Sequence, residues 1–178
     1  MRTRDPHEPR LLEAHRFIAG AILVIAGATI LAALFSEYVL GMRPCLLCLY
    51  QRWPYYAALP IAALIVAIGP GSRVTRAGLA LLGLIFAASA VLAGYHVGVE
   101  WGFFLGPTGC GGAAAPTAAS MDDFMRQLET VRVVSCTEPA WVFLGLSMAG
   151  WNAVVSALLA ALAFASAATP ARPVSLTS

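Results

Sequence analysis

Residues 17–36 carry no charge, and that run dictates the surroundings in which the chain folds. At ~1.5 Å per residue, a helix over it is about 30 Å long, the thickness of a bilayer's hydrocarbon core. A cleaved signal peptide has a shorter apolar region, about 7–15 residues, so the run is read as a membrane span. Three more spans follow. The second covers about 49–68 and contains Pro54 and Pro60, which predicts a kinked helix of the kind membrane bundles tolerate. The third covers about 77–97, after a tight turn at 69–76. The fourth, about 149–167, is the core of a charge-free stretch at 140–169. Only 11% of the 178 residues are charged and 60% are hydrophobic, against roughly a quarter charged in soluble domains. The fold expected is an all-α membrane protein. It is a four-transmembrane-helix bundle forming one domain over 1–178, in a lipid bilayer.

Four spans put both termini on one side. All eleven Lys-or-Arg positions are arginine. Arg2, Arg4, Arg10, Arg16, Arg73, Arg76 and Arg172 fall on the terminal side; Arg43, Arg52, Arg126 and Arg132 fall on the other. The positive-inside rule places the termini in the cytoplasm. The loops at about 37–48 and 98–148, with all four cysteines, then face outward. A net charge of +2 with no basic, aromatic-interleaved patch gives no reason to expect nucleic acid.

The second outer loop opens with Trp101, Phe103 and Phe104, suited to the headgroup level. Its glycine-rich stretch around Cys110 is expected to be flexible and exposed. Ser120 with Asp123 forms a capping pair, and Met121, Phe124, Met125, Leu128 and Val131 follow at helical spacing. This predicts a short amphipathic helix, lying on the membrane or packed on the bundle's outer end.

Cys45 and Cys48 stand at the edge of the second span, in Pro44-Cys45-Leu46-Leu47-Cys48-Leu49-Tyr50-Gln51-Arg52. A helix beginning near Pro44 puts both thiols and Arg52 on one stripe. The cysteines would sit over the positive end of the helix dipole, which favours a thiolate. A c-type haem site wants histidine where Leu49 stands. A zinc site wants four convergent ligands, and no histidine lies near Cys110 and Cys136 in sequence, so no metal is expected. A C-x-x-C disulfide closes a small loop and constrains little entropy, which makes it a better redox couple than a staple. Cys110 and Cys136 are compatible with a loop staple or with a disulfide relay to the first pair. A relay also needs an electron sink. No haem, flavin or dinucleotide signature is present, and a membrane quinone is the natural candidate. Arg52 could donate hydrogen bonds to a quinone oxygen; an interfacial arginine reaching headgroups is the plainer reading.

These features resemble the family of disulfide bond formation protein B (DsbB). The resemblance rests on four hydrophobic helices, the Cys45–Arg52 motif after the first, and a cysteine pair in the second outer loop. Trp141-Val142-Phe143-Leu144-Gly145-Leu146-Ser147-Met148 leading into the last helix completes it. It implies a bacterial inner-membrane enzyme that re-oxidises a periplasmic thioredoxin-fold oxidase like DsbA and reduces ubiquinone or menaquinone. By position, Cys110 resembles the residue attacked by the partner, and Cys136 its companion, which passes to Cys45. Cys48 resembles the thiolate that contacts the quinone, beside Arg52. His96, at the outer end of the third span, resembles a histidine lining the quinone site; a packing role is the alternative. Pro54 and the Gly/Ala-rich surroundings of Cys110 depart from the family pattern.

Two other readings are distinguishable. A vitamin K epoxide reductase-like protein typically has its loop cysteines before the C-x-x-C, whereas here they follow it. A non-catalytic scaffold with disulfide-stapled loops predicts unreactive Cys45 and Cys48. A transporter is disfavoured, because no charged residue lies in the middle of any span.

Overall fold

A computed structural model describes residues 8–68, 72–107, 110, 120–122, 125 and 135–169. Three of its helices are long and apolar enough to cross a membrane: α1 (Glu8–Tyr38), α4 (Ser72–Glu100) and α5 (Met148–Ala168). The expected second span differs. It is divided into α2 (Leu46–Tyr50) and α3 (Trp53–Ile68), the latter 16 residues long. Pro54 accounts for the break. It has no N–H to offer the carbonyl of Tyr50, and its ring crowds that carbonyl, so it is accommodated only in the first turn of a new helix. Pro60 lies inside α3. Most of the expected amphipathic loop helix lies outside the described residues; Met121, Asp122 and Met125 are helical.

The helices assemble through small residues at helical spacing. Ala19, Ile22, Ala26 and Ile30 of α1 face Tyr55, Ala58, Ala62 and Ile65 of α3; Leu79, Leu82 and Phe86 of α4 and Leu159, Ala160 and Ala163 of α5 complete the core. Without a hydrophobic drive between helices in lipid, close approach supplies the attraction. At Gly83 a Cβ would lie 2.7 Å from the Phe164 ring, so only glycine admits that ring. Large apolar side chains such as Val24, Leu31, Leu84, Val91 and Leu158 point outward, where acyl chains would solvate them.

One end of the bundle is tied by polar contacts. His15 of α1 meets Thr169 after α5, Arg16 donates to the Val66 carbonyl, and Arg76 donates to the Ala167 carbonyl. The starts of α1 and α4 and the ends of α3 and α5 therefore share that end. At the opposite end, a hairpin precedes α5. Strands β1 (Val142–Phe143) and β2 (Leu146–Ser147) pair antiparallel, Val142 with Ser147 and Phe143 with Leu146. Leu144 and Gly145 both have positive φ, 52° and 81°, as a two-residue type I′ turn demands.

Candidate active site

The helix at the paired thiols starts at Leu46, two residues after Pro44, and the shift matters. Cys45 is the N-cap of α2: its Sγ accepts the Cys48 N–H at 3.2 Å. Capping turns Cys48 back toward Cys45, and their sulfurs stand 2.6 Å apart. That is roughly half an ångström longer than a disulfide bond. His96 of α4 brings Nε2 to 3.6 Å from Cys45 Sγ. Three influences favour negative charge on Cys45: the Cys48 thiol first, then His96 and the Cys48 N–H. Together they outweigh burial and hold its pKa down to about 4. Cys48 moves the other way, its thiol kept protonated by the bond to Cys45 and by burial. In the free dithiol the charge rests on Cys45, whereas the family resemblance places the reacting thiolate on Cys48.

The pair lines a cavity of about 360 Å³ with Arg52, His96, Glu100, Trp141 and Asn152 among its walls. Arg52 lies at the break between α2 and α3 and lines the same cavity as Cys48. Its guanidinium donates to Glu37 of α1 at 2.5 Å, an ion pair internal to the protein. Ser147 Oγ donates to Glu100 at 2.5 Å, while also capping α5 through the Gly150 N–H.

Cys110 and Cys136 form a disulfide, and Cys136 N–H donates to the Cys110 carbonyl. Both are buried, at 2% and 1% exposure. The expectation of an exposed Cys110 is corrected here. The disulfide packs against Val99, in one apolar cluster with Cys45 and Leu47, and an uncharged cystine gains by such burial. The two cysteine pairs therefore share a cluster at one end of the bundle.

Cys45, Cys48 and His96 also place ligand atoms within 4.8 Å of one another. Two thiolates on a tetrahedral zinc with bonds of ~2.3 Å stand roughly 3.8 Å apart; the observed sulfur contact is instead that of a pair closing on itself. Sequence reasoning missed Glu37, Gln51, Tyr55, Glu100 and Asn152. Gln51 and Asn152 were detectable as amides in otherwise apolar surroundings, where an unpaired polar group is costly.

A helical membrane protein with a close thiol pair in a cavity wall and a disulfide packed beside it belongs to the class built for thiol–disulfide exchange. The family described as disulfide bond formation protein DsbB matches residues 15–166, and the chain belongs to that family. It is 32% identical over 155 residues to disulfide bond formation protein B of Marinobacter nauticus, covering 83% of this chain and 88% of that protein. The same-named proteins of Xanthomonas axonopodis pv. citri (32% over 138 residues; 73% and 77%) and Aeromonas salmonicida (30% over 149; 83% and 85%) are similar. No solved structure matches.

Proposed function

We propose that the chain is a bacterial inner-membrane thiol:quinone oxidoreductase. It re-oxidises a DsbA-like periplasmic thioredoxin-fold oxidase and reduces ubiquinone or menaquinone. It crosses the membrane four times, with the end of α2 and α3 (about 49–68) forming the second crossing, both termini cytoplasmic and the cysteines periplasmic. The contacts joining the starts of α1 and α4 to the ends of α3 and α5 support that count. The observation that carries the proposal is the packing of both cysteine pairs in one cluster beside the cavity.

The partner's thiolate attacks Cys110, breaking Cys110–Cys136 and forming a mixed disulfide. The partner's second thiolate then displaces Cys110, leaving oxidised partner and a reduced Cys110/Cys136 pair. Because Cys110 is buried, its segment must open for the first step. Cys136 next attacks Cys45 of an oxidised Cys45–Cys48 pair, and Cys48 leaves as a thiolate; Cys110 then attacks Cys136, re-forming Cys110–Cys136 and releasing Cys45, so that the two electrons reside on the reduced Cys45/Cys48 pair. With Cys45 in a disulfide, the neighbouring charge that keeps Cys48 protonated is gone, which reconciles a Cys45 thiolate in the free dithiol with a Cys48 thiolate in turnover.

The cavity suits a quinone ring in volume. Its walls are apolar at Ile30, Ala33 and Val155, and Arg52 and His96 supply polar contacts. Quinone supplies a two-electron, two-proton acceptor. Arg52, held by Glu37, retains donors for a ring oxygen. The test mixes purified protein, reduced thioredoxin-fold oxidase and a soluble quinone, and follows quinone absorbance. Cysteine-dependent loss of quinone is expected; its absence overturns the assignment.

A further inference from the structure

Behind His96 runs a line of hydrogen bonds that the exchange chemistry leaves unused. Tyr55 Oη donates to Asn152 Oδ1, Asn152 Nδ2 donates to Gln51 Oε1, and Gln51 Nε2 lies next to His96 Nδ1, each at 2.6 Å. The line continues from Tyr55 through Ser156 to Ser89 in steps of 3.0 Å. It draws on the α2 cap, α3, α4 and α5. Gln51, Tyr55 and His96 are all buried, so water does not compete for these bonds.

A chain of amides has two self-consistent polarities. In one, every amide donates toward the histidine, Gln51 N–H occupies the Nδ1 lone pair, and the ring proton sits on Nε2. In the other, the donors reverse, His96 Nδ1–H donates to Gln51 Oε1, and Nε2 is bare. The far side of the ring decides between them. Nε2 faces Cys45 Sγ at 3.6 Å and Glu100 Oε1 at 4.0 Å. Both are electron-rich. They repel a bare lone pair and attract an N–H. Ser147 holds the other Glu100 oxygen, which keeps that carboxylate in place.

We infer that Gln51, Asn152 and Tyr55 are positioning residues that hold His96 as its Nε2–H tautomer, aimed at the Cys45 sulfur. The inference rests on the proposed reading of Cys45–Cys48 as a redox couple and deepens it. Two electrons entering that disulfide leave two sulfurs and, after one proton is taken up, one negative charge. The Nε2–H group lets the charge remain on Cys45 while the proton resides on Cys48. Reversed, the ring would instead present a base, and Cys45 would lose its donor.

The full-length protein, ¹⁵N-labelled at histidine and reduced, tests this by NMR of the ring nitrogens. His7, His15 and His96 are the three histidines, and the His96 pair is assigned by its loss in His96→Gln. A pyrrole-type Nε2 and a pyridine-type Nδ1 are expected for His96. The opposite pattern overturns the inference. Asn152→Asp removes the donor to Gln51, so the Gln51 amide turns over and the tautomer should switch to Nδ1–H. Tyr55→Phe removes the phenolic hydroxyl and leaves Asn152 Oδ1 only the longer 3.5 Å contact from Ser156 Oγ, so it should give a mixture; it serves if Asn152→Asp does not fold. An unchanged Nε2–H signal in whichever of these variants folds overturns the positioning role. The measurement uses neither quinone nor partner. A chain with the expected tautomer but no quinone reduction would sink the proposed function and leave this inference standing; quinone reduction with a pyridine-type Nε2 would do the reverse.

Discussion

Cys45 and Cys48 are three residues apart and belong to one helical turn; Cys110 and Cys136 are 26 apart and join two ends of a loop. The chain-entropy model assigns about 3.5 kcal/mol of stability to closing a loop of the second size and roughly half that to the first. The long-loop pair is thus a structural constraint whenever it is closed. The short pair gains little from closure, and its environment is electrostatic: an N–H, a histidine and a neighbouring thiol, all acting on Cys45. One pair is governed by the chain it ties together and the other by the charges around it. In an exchange sequence, the first gives up a constraint when reduced, and the second receives a stabilised thiolate.

The sharpest way to break this comparison is to remove one sulfur from each pair. Cys48→Ser should abolish quinone reduction whether electrons come from the partner oxidase or from a small dithiol. Cys110→Ser should abolish only the partner-driven rate, since a small dithiol can reach the inner pair through the cavity. Loss of both activities in Cys110→Ser would mean that the pairs do not have separate tasks. The readout is quinone absorbance with each donor.

A smaller but still large effect separates the pairs by pH. With its pKa held to about 4, Cys45 is almost wholly thiolate at pH 6, where an ordinary thiol of pKa ~8.5 is about 0.3% ionised. Lowered pKa means the charge is present above about pH 5 and is lost as pH falls through 4. Alkylation of Cys45 by iodoacetamide in the reduced protein should therefore be flat from pH 6 to 8. A rate rising tenfold per pH unit would show that Cys45 is an ordinary thiol. Next in size is Arg52→Gln. Losing one charge-assisted hydrogen bond of ~1.5–3 kcal/mol should raise KM for quinone about tenfold to a hundredfold, with alkylation of Cys45 unaffected.

How far the sequence speaks differs between these two regions. The helical membrane class and the Cys45–Arg52 motif follow from apolar run length, local spacing and family resemblance, and the resemblance alone offers His96 as a candidate. The break between α2 and α3 was signalled by Pro54 but read as a kink, because proline alone does not say whether a helix bends or restarts. The Gln51–Asn152 bond joins residues 101 apart, and no local periodicity encodes such a pairing. Cys110 looked exposed because its neighbours are glycine and alanine; its burial arises from Val99 and Leu47, supplied by other segments. The Leu144-Gly145 turn was also missed, since leucine is an unusual residue at positive φ.

The finest test concerns the seam where the two pairs meet. A Cβ on Gly106 would lie 2.9 Å from the Cys110 Cβ and 3.4 Å from a Val99 methyl. The first contact is too close for real Cβ atoms, and a Cβ on the disulfide-bonded residue is not a free side-chain end that swings away. Gly106→Ala must therefore lift Cys110 off α4 by a few tenths of an ångström, an overpacking cost of ~1–3 kcal/mol. Partner capture should persist, because the disulfide remains intact and a loosened segment opens more readily. Transfer from Cys136 to Cys45 should slow several-fold, because attack on sulfur requires the two pairs to stay in contact. Stopped-flow mixing with reduced partner would separate the steps, the reduced Cys110/Cys136 pair accumulating in the variant after the partner has been oxidised. Unchanged transfer would mean that the packing of Cys110 on Val99 does not set how the pairs approach one another.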